Sequence, residues 1–201
     1  MTVTSNDKLK VMVIDETGDR SQSIAEILQS IDCEVIAIVS SDKDLLDQVE
    51  QHQPDIVIID IELPDRDILE NLRSLQSNTP RPMVMFSQDD NGHTIRRAVQ
   101  AGVTAYVVDG VQATRVRPIL DAAIATFDQY QLLHKQLEVT RSELDKRNKL
   151  ERAKAILMKQ RGIDETEAYQ LIRKNAMDQK LKITELADRI IAAAELLGGP
   201  V

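Results

Sequence analysis

Five short aliphatic runs punctuate the first half of the chain. They are Lys10-Val11-Met12-Val13-Ile14, Glu34-Val35-Ile36-Ala37-Ile38-Val39, Ile56-Val57-Ile58-Ile59-Asp60, Pro82-Met83-Val84-Met85-Phe86-Ser87 and Ala105-Tyr106-Val107-Val108. Each is rich in β-branched residues and continuous rather than alternating, the mark of strands covered on both faces. Between them, apolar residues recur at helical spacing over 23–31, 43–51, 68–75 and 94–101, and again from 114. Strand and helix in strict alternation predict an α/β unit, a five-stranded parallel sheet doubly wound by helices. In such sheets ligands meet the carboxyl ends of the strands.

From Thr114 the pattern stays helical, with no glycine until Gly162, and Pro118 falls in the first turn, where its missing N–H does no harm. A heptad reading puts Ala123, Tyr130, Leu137 and Leu144 on one stripe. Phe127, His134, Arg141 and Asn148 form its companion. This is half a coiled-coil seam, read either as a short dimeric coiled coil or as a solvated connector. Further on, Leu150, Ala153, Ile156 and Leu157 recur at helical spacing up to the stop at Gly162. Asp164 with Glu167 reads as a capping box opening a second helix, with Ala168, Leu171, Ile172 and Ala176 on its inner face. Thr184 is read as the cap of a third helix, with the alternative that Ile183 already lies inside it, and that helix buries Leu186, Ala187, Ile190, Ile191 and Ala194. Three helices of this kind predict a small all-α domain joined to the α/β unit by the long helix.

The strand ends carry the chemistry of the first half. The first run leads into Asp15-Glu16, the third ends in Asp60 and the fourth in Ser87. Carboxylates converging on one edge repel one another and call for a cation, and oxygen ligands suit Mg²⁺. With the charge neutralised, Asp60 is placed to act as a carboxylate nucleophile toward a phosphoryl donor.

Composition adds a division of charge. The net charge of −8 conceals 11 Lys/Arg against 22 Asp/Glu in residues 1–134, and 14 against 11 in residues 135–201. Such a split suggests two modules with different partners. Three Tyr, two Phe and no Trp argue against a protein that stacks many single-stranded bases. A single cysteine, Cys33, excludes an intrachain disulfide and a Cys-rich zinc site. No apolar run approaches a membrane span, and the first residues carry no signal-peptide core, so the expected compartment is the cytoplasm.

Two resemblances follow from these residues. Residues 8–128 resemble the receiver domain of response regulators, of flavodoxin-like fold. That resemblance implies a metal-binding set Asp15, Glu16 and Asp60, a phosphoacceptor Asp60, and switch residues Ser87 and Tyr106. One departure stands out: Asp109-Gly110 occupy the place of the usual Lys-Pro, putting an anion in the phosphate pocket. The receiver is therefore either phosphorylated or docked by a regulatory protein. The stretches Glu151-Arg152-Ala153-Lys154-Ala155-Ile156-Leu157-Met158, Glu167-Ala168-Tyr169 with Ile172-Arg173, and Lys182-Ile183 with Glu185-Leu186-Ala187 appear in order. They resemble the ANTAR output module of the AmiR/NasT family, over residues 143–197, with residues 129–142 as a helical or coiled-coil connector.

The ANTAR resemblance implies RNA binding. Lys and Arg on adjoining helices can match the phosphate curvature of a hairpin loop. Lys154, Arg173 and Lys182 are the leading candidates, with Arg152, Lys174 and Lys180 in support. Arg152 has an alternative role as an internal ion-pair partner of its helix neighbours Glu151 or Glu143. Tyr169 is read as stacking on a base or as packing against Leu150 or Ile172. The family binds paired hairpins with six-base loops in leader mRNA and so prevents a terminator stem, which implies a homodimer or two molecules per RNA. The stretch 105–110 resembles the NasT type, which points to nitrate and nitrite assimilation genes. It also implies a cognate sensor, either a histidine kinase or a NasS-like nitrate sensor. The alternatives are a DNA-binding response regulator and a protein-docking switch that touches no nucleic acid. No nucleophile–base pair or cofactor loop suggests an enzyme.

Overall fold

The computed structural model describes residues 8–15, 21–41, 44–108, 111 and 113–196. The chain divides into two compact units, Met1–Gln131 and Leu132–Val201. In the first, five strands, β1 (Leu9–Asp15), β2 (Cys33–Ser40), β3 (Ile56–Asp60), β4 (Met83–Ser87) and β5 (Ala105–Val108), pair in parallel in the order β2-β1-β3-β4-β5. Helices α1 (Ser21–Ser30), α2 (Leu45–His52), α3 (Arg66–Asn78) and α4 (Gly92–Gln100) alternate with them, and α5 (Ala113–Arg161) follows β5. This is the doubly wound, flavodoxin-like order. Each of the five apolar runs is a strand, displaced by no more than one residue at either end.

Strand side chains alternate between two cores, as a period of two requires. Met12, Ile14, Val57, Ile59, Met83 and Met85 meet α2, α3 and α4 through Val49, Leu69, Leu72, Leu75 and Ala98. Val11, Val13, Ile56, Ile58, Val84 and Phe86 meet α1 and α5 through Ile24, Leu28, Val116 and Leu120. A strand covered on both faces needs apolar residues at every position, and that is why the runs are unbroken. Ala123 belongs to this second core, at 2% exposure, and so is not part of a solvent-facing heptad stripe.

In the second unit, the first of the three helices is not a separate element. It is the end of α5, which runs for 49 residues before Gly162 stops it. Gly162 sits at φ +67, its N–H bonded to the Met158 carbonyl at 2.9 Å, a left-handed stop that a side chain would resist. Helix α6 (Glu165–Asp178) opens with the expected capping box: Glu167 N–H donates to Asp164 Oδ1 at 2.8 Å and Asp164 N–H to Glu167 Oε2 at 3.2 Å. Helix α7 (Ile183–Leu196) begins one residue before Thr184, which lies inside it. The capping position falls on Lys182, whose N–H donates to Glu185 Oε2 at 3.2 Å. An acid three residues into the helix does the work sought from Thr184. The core here comprises Ala153, Leu157, Ala168, Ile172, Ala176, Leu186, Ala187 and Ile191. No helix among the described residues is long and apolar enough to cross a membrane.

Candidate phosphoacceptor edge and candidate RNA interface

The strand order makes β1 and β3 neighbours, and their register sets Asp15 opposite Asp60. Adjacent strands lie about 4.8 Å apart, so the two carboxyl groups leave neighbouring backbones at one sheet edge. Both are buried, at 3% and 6% exposure. Hard, oxygen-only donors in that position suit a divalent cation of the Mg²⁺ type. Among the described residues no group of three His, Cys, Asp or Glu side chains stands together. The third expected ligand, Glu16, lies outside the described residues, and so does Asp109.

Ser87 ends β4, next to β3, and is buried at 3%. Its hydroxyl donates to the Glu62 carbonyl at 2.8 Å and accepts from Asp89 N–H at 3.1 Å. Tyr106, on β5, is half-buried against the core under α2–α4, and its hydroxyl donates to the Asp89 carbonyl at 2.8 Å. Burial pushes the Tyr106 phenol above its ordinary range, against a smaller downward pull from the Ser87 hydroxyl. Both expected switch residues thus grip the same loop after β4, one through Asp89 N–H and the other through its carbonyl. Sequence reading named both residues without indicating that Asp89 joins them, because only the sheet order brings β5 beside β4. Cys33 is buried and its thiol is pushed up by that burial, so it is an inert core residue.

The six basic residues expected to reach RNA separate into two sets. Lys154 is 7% exposed, and its ammonium bonds to Glu165 of α6 and pairs with Glu151 at 2.9 Å. The Glu165 hydrogen bond, then that of Glu151, holds its pKa above the ordinary lysine value. Lys154 therefore ties α5 to the start of α6 rather than standing at the surface, which corrects the placement expected of it. Arg152 pairs with Glu195 of α7 at 3.3 Å, not with a neighbour on its own helix. Lys149 likewise bridges Asp145 and Asp188. By contrast, Arg173, Lys174, Lys180 and Lys182 are exposed, and none forms an ion pair among the described residues. Tyr169 is 39% exposed and Met177 68%, both outside the bundle core. Arg173, Lys174 and Met177 line one shallow groove of about 210 Å³ with Gln170 and Asp178.

A parallel sheet of order 2-1-3-4-5, with buried aspartates on neighbouring strand ends and a serine and tyrosine on the next strands, is a doubly wound α/β module of the receiver type. The model of the response regulator receiver domain matches residues 11–121 and that of the ANTAR domain residues 138–191, so the chain belongs to the response regulators, as one with an ANTAR output. Relatives agree. The transcriptional regulatory protein PdtaR of Mycobacterium tuberculosis is 25% identical over 191 residues, covering 95% of this chain and 92% of that protein. A protein-glutamate methylesterase/protein-glutamine glutaminase of Rhizobium johnstonii is 29% identical over 104 residues, but these make up 50% of this chain and only 28% of that enzyme.

Among solved structures, the signal receiver domain of a modulated diguanylate cyclase from Desulfovibrio desulfuricans superposes with TM-score 0.54 at 18% identity. It covers 62% of this chain and 99% of that one. The receiver domain of the response regulator NarL of M. tuberculosis gives 0.52 at 21%, covering 59% and 98%. These likenesses establish the receiver fold.

Proposed function

We propose that this protein is a signal-responsive antitermination regulator whose ANTAR unit binds tandem hairpins with six-base loops in leader mRNA and so keeps a terminator stem from forming. The observation that carries the reading is the set of cations Arg173, Lys174, Lys180 and Lys182, exposed and without an ion pair among the described residues, within a matched ANTAR domain. Cations already neutralised inside the chain have little left to offer a phosphate, whereas these four exchange only solvent and counterions on binding. Lys154 and Arg152 support the interface by fixing the helices that present it. Tyr169, exposed beside Arg173 on α6, stacks on a loop base.

Control comes from the receiver, through phosphorylation at Asp60 or through docking of a sensor, either a histidine kinase or a NasS-like nitrate sensor. Asp15, Asp60 and Glu16 would hold Mg²⁺, which offsets the charge of the carboxylates and of an incoming phosphoryl group. An Asp60 oxygen takes the phosphoryl group from its donor, and Ser87 turns its hydroxyl from the Glu62 carbonyl toward the phosphoryl oxygens. Tandem hairpins call for two output units, and exposed Leu133, Leu137 and Leu144 on α5 are the face for a second copy of the chain. The regulated genes are those of nitrate and nitrite assimilation, and the protein works in the cytoplasm.

Titrating the full chain with a two-hairpin RNA, and with single-hairpin and duplex-DNA controls, at two salt concentrations tests the reading. Loop-dependent, RNA-selective binding that weakens with salt is the expected result. Equal binding to duplex DNA, or none to any nucleic acid with and without a phosphoryl donor, would sink it.

A further inference from the structure

A hollow of about 360 Å³ opens in the receiver unit at the amino ends of β4 and β5, the end of the sheet away from Asp15 and Asp60. Its walls are the last turns of α3 and α4, the turn from α4 into β5, and one face of α5. The floor is rigid. Gly102 turns at φ +100, and a Cβ there would lie 2.6 Å from Gln76 Cγ, so only glycine lets this turn pack directly on α3. Gln76 is held in turn, its Oε1 accepting from Arg81 N–H at 3.4 Å. A cavity of this size with walls already in place is of the kind that takes a small molecule.

The lining indicates the ligand. Acids outnumber cations in the first half of the chain, yet among the described residues this lining holds no acid and a single charged residue, Arg73. Arg73 is exposed and makes no ion pair among the described residues, while Glu70, one turn before it on α3, is held by Arg66 at 2.8 Å. On the α5 side, Phe127 and Tyr130 stand three positions apart, which sets their rings on one helix face. The chain has five Phe and Tyr residues, so two of its few rings border one hollow. Val99 of α4 joins them, and both Val99 and Tyr130 are large apolar side chains left in water. A larger hollow at the same end of the sheet offers less, because its charges already have partners: Lys8 pairs with Asp32 at 3.6 Å and Arg117 with Asp121 at 2.9 Å.

We infer that this hollow is a binding site for a small aromatic carboxylate, its ring against Phe127, Tyr130 and Val99 and its carboxylate on Arg73. Rings meet rings in offset or edge-to-face contact, and covering Val99 and Tyr130 removes apolar surface from water. The planar guanidinium fork matches a carboxylate through two parallel N–H···O bonds. The site lies at the opposite end of the strands from Asp60, so an occupant does not compete with a phosphoryl group there. One of its walls is α5, the helix that leads out of the receiver, so the occupant bears on that helix. The inference stands apart from the RNA-binding reading.

Titration of the full chain with indoleacetate, an aromatic carboxylate, tests it, with the neutral amide of the same shape as control. The chain has no tryptophan, so indole fluorescence reports the probe alone. The parent chain should bind one indoleacetate with a dissociation constant of about 1 mM or tighter, and the amide roughly threefold to tenfold more weakly. Arg73→Gln should bring the carboxylate down to the affinity of the amide. Arg96→Gln removes the same charge from an exposed position on α4 outside the lining and should change nothing. Val99→Glu sets an anion on the apolar wall at an exposed helical position and should abolish binding of the carboxylate, with circular dichroism checking that each variant is folded. No saturable binding of indoleacetate to the parent chain would overturn the inference. So would equal affinity for acid and amide, or a loss in Arg96→Gln as large as in Arg73→Gln, which would place the attraction in the general field of the surface rather than at Arg73.

Discussion

The two units keep their candidate functional residues in opposite environments. In the receiver, the candidates are buried acids, Asp15 and Asp60, at the rim of two cores built from large side chains such as Met12, Ile14, Ile58, Leu72, Met85 and Phe86, each at 0–1% exposure. In the ANTAR unit the fully buried positions are mostly alanines, Ala153, Ala168, Ala176 and Ala187, with Ile172 the one large side chain among them, while Leu157, Leu186 and Ile191 keep 8–9% exposure. Alanines let the helices approach closely but remove little apolar area from water, so the bundle adds ion pairs across its seams at Lys149, Arg152 and Lys154. A sheet can hold a charged group in place by burying the strand that carries it. A thin bundle commits some of its cations to internal pairs and leaves others exposed.

The sharpest way to break this comparison is a matched deletion in the two cores. Leu72→Ala leaves a cavity under a fully enclosed side chain and should cost about 4 kcal/mol, whereas Leu186→Ala, beside solvent, should cost about 2–3 kcal/mol. Urea unfolding followed by circular dichroism measures both, and equal losses would remove the distinction between a deep and a thin core. Next in size is the stop of α5. Gly162→Ala places a side chain at φ +67 and should cost about 1–2 kcal/mol, although nothing lies within 4 Å of the added carbon. A neutral outcome in thermal melting would mean that α6 shifts to relieve the backbone.

The smallest effect concerns the tie between α5 and α6. Lys154→Gln should cost about 1 kcal/mol or less, since Glu151 and Glu165 stay solvated, and should leave the salt slope of RNA binding unchanged. A shallower slope would return Lys154 to the RNA surface. Its raised pKa fixes the sign of the pH dependence. The stabilisation is fully present below the ordinary lysine value of 10.5 and disappears as pH climbs through the higher folded value. The stability gap between the parent and Lys154→Gln should therefore be flat at neutral pH and close under alkaline conditions. A gap that closes on acidification instead would place the dependence on the carboxylates.

Much of this molecule is legible in one dimension. The unbroken apolar runs, the break at Gly162 and the box at Asp164 and Glu167 each follow from local rules of period, cap and stop, and all appear where they were expected. Of the two readings of the third helix, the one with Ile183 already inside it holds rather than a cap at Thr184, because a cap depends on which acid folds back to the free N–H, and Glu185 reaches it. Lys154 was misplaced for a related reason. In the sequence it is one basic residue among many along α5, and nothing local reveals that Glu165, eleven positions on and past a turn, will come to meet it. Tyr169, given two readings, is left 39% exposed outside the bundle core by the rotation of α6, which no local pattern specifies.

The sequence by itself determined the elements, their order, the acids at the strand ends and the basic character of the last helices, because hydrophobic period and residue type are properties of neighbours along the chain. Only the tertiary structure decided that Asp15 faces Asp60, that Ser87 and Tyr106 hold one loop through Asp89, and which lysines are committed inside the bundle and which stay exposed. Those outcomes depend on strand order, helix packing and the solvation of each charge, and these exist only once distant segments have met.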